Sequence, residues 1–315
     1  MQRYIMRRLL LTIPSLLGVT LIVSGMVRLL PGDAVTLMLQ DYGGYAKDAD
    51  DLRAQLGLSK PFQVQYLKWL GGILHGDFGQ SLRDRTPIAH DLATRLPVTF
   101  ELGLLGLLIS LLIAIPLGVY SAVRQDSLAD FIARSAAIAM LAIPGFWLAT
   151  LAITLPALWF HWSPPLIYTR LQDSPGTNIK QMLLPGIILG IGLSGSIMRL
   201  TRAQMLEVLR QDYIRTSRAK GLSDRAVIYR HALRNAVVPV VTLLGLNMAV
   251  LISGTVVLES IFVLPGMGRY LLEALNNRDY PVVQAVVLLF ATLIIVINMG
   301  VDLLYAWLDP RIHYS

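Results

Sequence analysis

Residues 211–239, QDYIRTSRAKGLSDRAVIYRHALRNAVVP, carry Arg215, Arg218, Lys220, Arg225, Arg230 and Arg234 against only Asp212 and Asp224. Basic side chains at this density do electrostatic work: they dock on an acidic partner, or they hold a loop on one side of a membrane. Little else in the chain is suited to covalent or metal chemistry. The five histidines, His75, His90, His161, His231 and His313, form no H-E-x-x-H or other metal-ligating pair on one helix. There is no cysteine, which removes disulfides, thiolate metal sites and Cys nucleophiles. A G-x-S-x-G elbow and a G-x-x-x-x-G-K-[ST] phosphate loop are both missing, so the chain offers no P-loop for ATP. Arg28, Glu101, Glu259 and Asp302 lie near the ends of apolar runs, where snorkelling lowers their cost. A proton relay would place such groups deeper, which counts against secondary transport.

The elements that must carry the basic stretch are membrane helices. Only 15% of the 315 residues are charged and 55% are hydrophobic, with a mean hydropathy of +0.59. A soluble domain is about 25% charged, so the natural solvent of this chain is lipid. Six windows are long and apolar enough to span: Leu9–Leu30, Thr99–Ala122, Ser135–Phe160, Met182–Met198, Ala236–Leu258 and Pro281–Val301. The first is longer than a signal-peptide core and has no small-residue cleavage site after it, so it reads as a retained first span. The third contains Pro144-Gly145 and Pro156 and is expected to bend. The fourth carries Gly186, Gly190, Gly192 and Gly195, which suits close helix packing.

Charge sets the topology. The N-terminal octapeptide contributes +3 and residues 199–236, with nine bases and three acids, contribute +6, leaving −2 for the rest of a chain of net charge +7. The positive-inside rule puts both segments, and with six spans both termini, in the cytoplasm. The net charge therefore reads as topology and not as a nucleic-acid interface. Residues 31–98 form an outer segment with seven bases and eight acids. Asp48–Leu56, closed by Gly57, is a candidate short helix. Pro61 starts a second one with a stripe of Phe62, Tyr66, Trp69, Leu70 and Ile73, and Thr86-Pro87 starts a third with Ile88, Leu92 and Leu96 on one face. In the basic loop, Glu207–Lys220 lacks Pro and Gly and reads as a helix. Gly221 suits a left-handed stop, and Ser223 caps the next helix, which Asp224 favours electrostatically. A helix–glycine–helix of this kind is an ordered docking element more than a plain topology signal.

Several long stretches are similar to permeases of ABC importers of the dipeptide/oligopeptide/nickel class. They are LLPGDAV (29–35), LGLSKPFQVQYLKWL (56–70), HGDFGQSL (75–82), RQDYIRTSRAKGLS…HALRNAVVPVVT, ESIFVLPGMGRYLLEALNNRDYPVVQA (259–285) and VDLLYAWLDPRIHYS (301–315). The general permease motif reads EAA, three residues, then Gly. Here Arg215, Thr216, Ser217 and Gly221 stand at those positions, so a base replaces the acid, and Pro239 comes later than the general spacing. Both departures resemble the peptide subclass.

The resemblance implies an all-α polytopic membrane protein with six transmembrane helices and a small helical extracytoplasmic insertion. Residues 1–30 would be the N-terminus and first span, 31–98 the insertion, and 99–315 the permease core with its coupling loop at 199–235. The implied function is a permease subunit forming half of an ATP-driven import pathway for peptides or similar solutes, with no catalysis of its own. The alternative is a self-sufficient channel or ion-coupled carrier, and a membrane enzyme is a third reading. By resemblance, Asp212, Tyr213, Ile214, Arg215, Thr216, Ser217, Arg218, Ala219, Lys220, Gly221 and Leu222 form the helix that couples to the ATPases, with Tyr213, Ile214 and Ala219 packing into them. Pro265, Gly266, Met267 and Gly268 form a tight turn at the outer gate, on the side of the binding protein. The implied partners are a second homologous permease, giving a heterodimer, two cytoplasmic ATPases that carry the ATP and Mg, an external substrate-binding protein and membrane lipid. No nucleic acid and no cofactor in this chain are expected. The implied location is a bacterial or archaeal cytoplasmic membrane.

Overall fold

The computed structural model describes residues 2–29, 59–165 and 167–308. The expected helix at Asp48–Leu56, the 29–35 motif apart from Leu29, and the Asp309-Pro310-Arg311 stop lie outside these residues. Among the described residues, each of the six apolar windows falls within a helix or a bent helix pair. The elements are α1 (Gln2–Leu29), α2 (Phe62–Leu74), α3 (Ile88–Val123), α4 (Leu128–Ala142), α5 (Gly145–Phe160), α6 (Pro175–Leu209), α7 (Asp212–Ala219), α8 (Asp224–Ala226), a π-helical turn Val227–Ala232, α9 (Leu233–Ile261), α10 (Met267–Asn276) and α11 (Tyr280–Leu308). Among the described residues there is no β-strand, only an isolated bridge between Gln80 and Pro87. This is a polytopic helical membrane protein.

The chain divides into two compact units. The first joins residues 1–98 with 265–299, and the second joins 99–264 with 300–313. Residues 265–299 thus group with the N-terminal third and not with the rest of 99–315.

In the first unit the stripe read on α2 turns inward. Phe62, Tyr66, Trp69, Leu70 and Ile73 are half-buried, while Val64, Leu67 and Leu74 are exposed. The Tyr66 hydroxyl lies 2.8 Å from Thr20 Oγ1 of α1. The helix begun by Thr86-Pro87 is not a separate cap. It continues as α3 for 36 residues, through Pro97 and Pro116, because its apolar run extends on both sides of each proline. Ile88 and Leu92 pack with Met267, Tyr270 and Ala274 of α10 and Val282, Val283 and Val286 of α11. Polar groups pin this cluster. Ser81 Oγ donates to Asp279 Oδ2 at 2.5 Å, and the Tyr270 hydroxyl donates to Asp91 Oδ2 at 3.1 Å. Burial and the Asp91 carboxylate push the Tyr270 hydroxyl above its ordinary range, which keeps it a donor.

In the second unit small residues let α6 approach its neighbours. A Cβ on Gly190 would lie 2.7 Å from Ile109 Cγ2 of α3, and one on Gly118 of α3 would lie 2.9 Å from the Met198 carbonyl of α6. A Cβ on Gly195 would sit 2.6 Å from the Ala137 carbonyl of α4. Gly186, Gly190 and Gly195 of the fourth window therefore serve close packing, while Gly192 faces open space, and α6 runs through all four as one 35-residue helix. The third window does bend. Between α4 and α5 the axis turns by 91° at Ile143 and Pro144, whose backbones are extended. Proline at 144 cannot donate back into α4.

Two of the charged groups near span ends, Glu259 and Glu101, are held by hydroxyl donors. Glu259 is fully buried and accepts 2.7 Å from Thr99 Oγ1, and Glu101 accepts 3.0 Å from the Tyr168 hydroxyl. Glu259 thus corrects the snorkelling expectation, because Thr99 satisfies it inside the unit.

The end of α9 holds a strained residue. Val263 adopts φ +56°, with its N–H on Ser260 O at 3.4 Å and the Leu264 N–H on Glu259 O at 2.8 Å. This is the helix stop that glycine normally provides. A left-handed conformation costs an L-residue about 1–2 kcal/mol, more than the entropy penalty of glycine. Val263→Gly is therefore expected to stabilise the protein by about 1 kcal/mol, seen as a higher midpoint in thermal unfolding of the purified protein.

Candidate functional site

The basic loop folds as two helical pieces joined through a glycine. Helix α6 stops at Leu209, and α7 starts anew after Gln211, whose ψ of 148° is extended. The single helix expected over Glu207–Lys220 is thus broken at Arg210–Gln211. The break reorients α7 so that Ile214 can be buried. Ile214 is 0% exposed. It packs with Val119 and Ala122 of α3, Met205 of α6, Val227 and Ala232 of the π turn, and Ala236 of α9. This corrects the expectation that Ile214 packs into a partner, because its side chain anchors α7 to the bundle.

The other face of α7 is open. Tyr213 is 41% exposed and its hydroxyl accepts 2.8 Å from Asn235 Nδ2, a second tie to α9. Asp212, Arg215, Thr216, Arg218, Ala219, Lys220, Gly221 and Leu222 are all exposed, and Ser217 is half-buried. Thr216 and Ser217 spend their hydroxyls on the backbone carbonyls of Asp212 and Tyr213. Arg215–Asp212 at 3.6 Å and Arg218–Asp224 at 3.5 Å are exposed ion pairs, which add little to stability and leave the cations available.

Gly221 ends α7 as its sequence indicates. Its φ is +80°. The Gly221 N–H bonds Arg218 O at 2.9 Å and the Leu222 N–H bonds Ser217 O at 3.4 Å, a complete Schellman closure. Ser223 Oγ then accepts from the Ala226 N–H at 3.4 Å and starts α8. Gly221→Ala keeps the space, since nothing lies within 4 Å of the added Cβ, but it forces an L-residue into the left-handed region at about 1–2 kcal/mol. Hydrogen exchange across 212–222 is expected to quicken by about tenfold, while the membrane helices keep their protection.

The 265–268 segment is not a turn. The left-handed residue is Val263. Gly266 is the N-cap of α10, and Met267 and Gly268 form its first turn, both buried, with Met267 0% exposed. Pro265 is half-buried. The turn is displaced because Val263 closes α9 two residues earlier. An ion pair that no local sequence pattern marks joins the fully buried Asp130 to the partly buried Arg202, 72 residues apart and 2.7 Å from each other. Neither belongs to a recognisable pattern.

Residues 114–314 match the family model described as binding-protein-dependent transport system inner membrane component. Residues 1–103 match the model for the N-terminal part of such membrane components. The chain belongs to this permease family. Over 340 aligned residues covering 100% of both chains, the permease is 40% identical to the dipeptide transport system permease protein DppB of Escherichia coli (strain K12). It is also 40% identical over full length to DppB of Alkalihalophilus pseudofirmus, and 39% to the di/tripeptide transport system permease protein DppB of Pseudomonas aeruginosa. A chain of the MetNI methionine ABC transporter, solved in inward-facing conformations, shares the fold with a TM-score of 0.58 at 16% identity, covering 71% of this chain and 98% of that one. The permease is thus a multi-pass inner-membrane subunit of an ABC importer and not an enzyme. None of these relatives supports a self-sufficient channel or ion-coupled carrier.

Proposed function

We propose that this subunit pairs with a second, homologous but different permease to form the translocation pathway for dipeptides or closely similar peptides. Two ATPases bind from the cytoplasm, each against one permease, and an external binding protein delivers the peptide. Helix α7 is the surface offered to the ATPase. The observation that carries this reading is the two-faced build of α7 and its closing turn: Ile214 locked in the bundle, Tyr213, Arg215, Arg218 and Ala219 outward on the helix, and Leu222 exposed just past Gly221. A helix fixed on one side and free on the other passes on a push as a rigid body. The exposed cations suit an acidic rim on the ATPase, and ATP and Mg belong to that partner. The basic loop and both termini face the cytoplasm. Residues 265–268 support the outer gate as the buried start of α10.

Co-purification in mild detergent tests the reading. Tagged wild type is expected to carry an ATPase, a second permease and ATP hydrolysis. Gly221→Pro cannot adopt φ +80°, and it is expected to lose or uncouple the ATPase with the membrane fold intact. Wild type that purifies without any ATPase would refute the proposal. The chain has no native cysteine, so Arg215→Cys also reports orientation. An impermeant maleimide should reach it in inside-out vesicles and not in intact cells.

A further inference from the structure

Asp130, in the first turn of α4, is fully buried, and its carboxylate accepts hydrogen bonds from three residues. Arg202 of α6 grips it with both arms of the guanidinium, Nε to Oδ1 at 2.8 Å and Nη2 to Oδ2 at 2.7 Å. Ser121 of α3 donates to Oδ1, and the Asp126 N–H donates to Oδ2 at 3.0 Å. Arg134, one turn along α4, adds a half-exposed cation at 3.5 Å. Apolar side chains would often hold two helices together as well as a buried ion pair does. What two parallel N–H···O bonds add is a fixed distance and angle between the helices. Breaking the pair would strand a buried charge, which opposes separation of the two helices at this point.

The position of this clasp gives it a task. Arg202 lies two helical turns before the end of α6 at Leu209, and α7 follows directly. At the other end of α4 comes the 91° bend into α5. Gly195 lets α4 lie tight on α6, with no room for a Cβ against the Ala137 carbonyl.

We propose that Asp130 and Arg202 are positioning residues that make α4 move as one body with α6 and α7, leaving the joint at Ile143–Pro144 to take up the motion relative to α5. The inference rests on the reading of α7 as the ATPase-coupling helix. It extends that reading to the path by which a push on α7 reaches the bent third span.

Spin labels on introduced cysteines test it in the reconstituted full complex, without nucleotide and trapped with ATP and orthovanadate. One pair, Phe131→Cys with Leu183→Cys, spans α4 and α6. The other, Phe131→Cys with Leu158→Cys, spans α4 and α5. All three positions are exposed. In wild type the α4–α6 distance is expected to stay constant while the α4–α5 distance shifts by about 2 Å or more. In Asp130→Asn the α4–α6 distribution should broaden and the α4–α5 shift should shrink, whereas Arg134→Gln should behave as wild type. If Asp130→Asn does not assemble, Asp130→Leu with Arg202→Met keeps apolar packing and is expected to show the same loosening. An α4–α6 distance that changes with nucleotide in wild type, or variants with wild-type distances, would overturn the clasp alone. Wild type that holds no ATPase would overturn the coupling reading, and this inference with it.

Discussion

Leucine at Gly195 is expected to leave almost no folded protein in the membrane. The Cβ alone would lie 2.6 Å from the backbone carbonyl of Ala137 and 2.7 Å from Leu141 Cγ. A carbonyl inside a helix cannot rotate away as a side-chain tip can, so α4 and α6 must separate. Overpacking of this kind costs about 3 kcal/mol or more, and parting the helices would also disturb the Asp130–Arg202 pair. The yield of monodisperse protein in size-exclusion chromatography measures the effect. Gly195→Ala should show a weaker loss of the same sign. Gly192→Ala is the control, since nothing lies within 4 Å of its added Cβ and alanine is the better helix former. An equal loss from Gly192→Ala would mean that the small residues of α6 do not act through close packing.

Aspartate at Ile214 should have the next largest effect. The site is fully buried among Val119, Met205, Val227 and Ala236, with no cation among these neighbours. Placing a carboxylate there costs about 4 kcal/mol or more, and undocking α7 is the cheapest escape. The membrane helices should therefore survive while residues 212–221 lose protection from hydrogen exchange. ATP-driven peptide uptake is expected to fall by at least about tenfold. Ile214→Val removes one methylene, at about 1 kcal/mol, and should remain functional. If Ile214→Asp left uptake intact, the anchoring of α7 would not matter to transport.

What the sequence revealed follows from which signals are local. Pro144-Gly145 announces the bend because proline has no N–H to donate at any tertiary arrangement. Gly221 and Ser223 announce the loop geometry because helix stops and caps are written within a few residues. The burial of Ile214 is not legible, because a run such as DYIRTSRA has its exposed face fixed by the break at Arg210–Gln211, which neither proline nor glycine marks. The turn after α9 is hard to place for a similar reason: Gly266 and Gly268 suggest it, while Val263, an uncommon residue for φ +56°, forms it. Asp130 and Arg202 were out of reach, since pairing across 72 residues depends on how α4 lies on α6. The same holds for Ser81 with Asp279 and Thr99 with Glu259.

The most direct test of the coupling role is a single-cysteine scan of residues 212–222 in the assembled complex, with a short bifunctional cross-linker reaching for the ATPase. The chain starts from a cysteine-free background. Cross-links are expected from Arg215, Arg218, Ala219 and Leu222, which are exposed, and none from Ile214, which is buried. A scan with no cross-link at any position, or with Ile214 as reactive as its neighbours, would contradict that role.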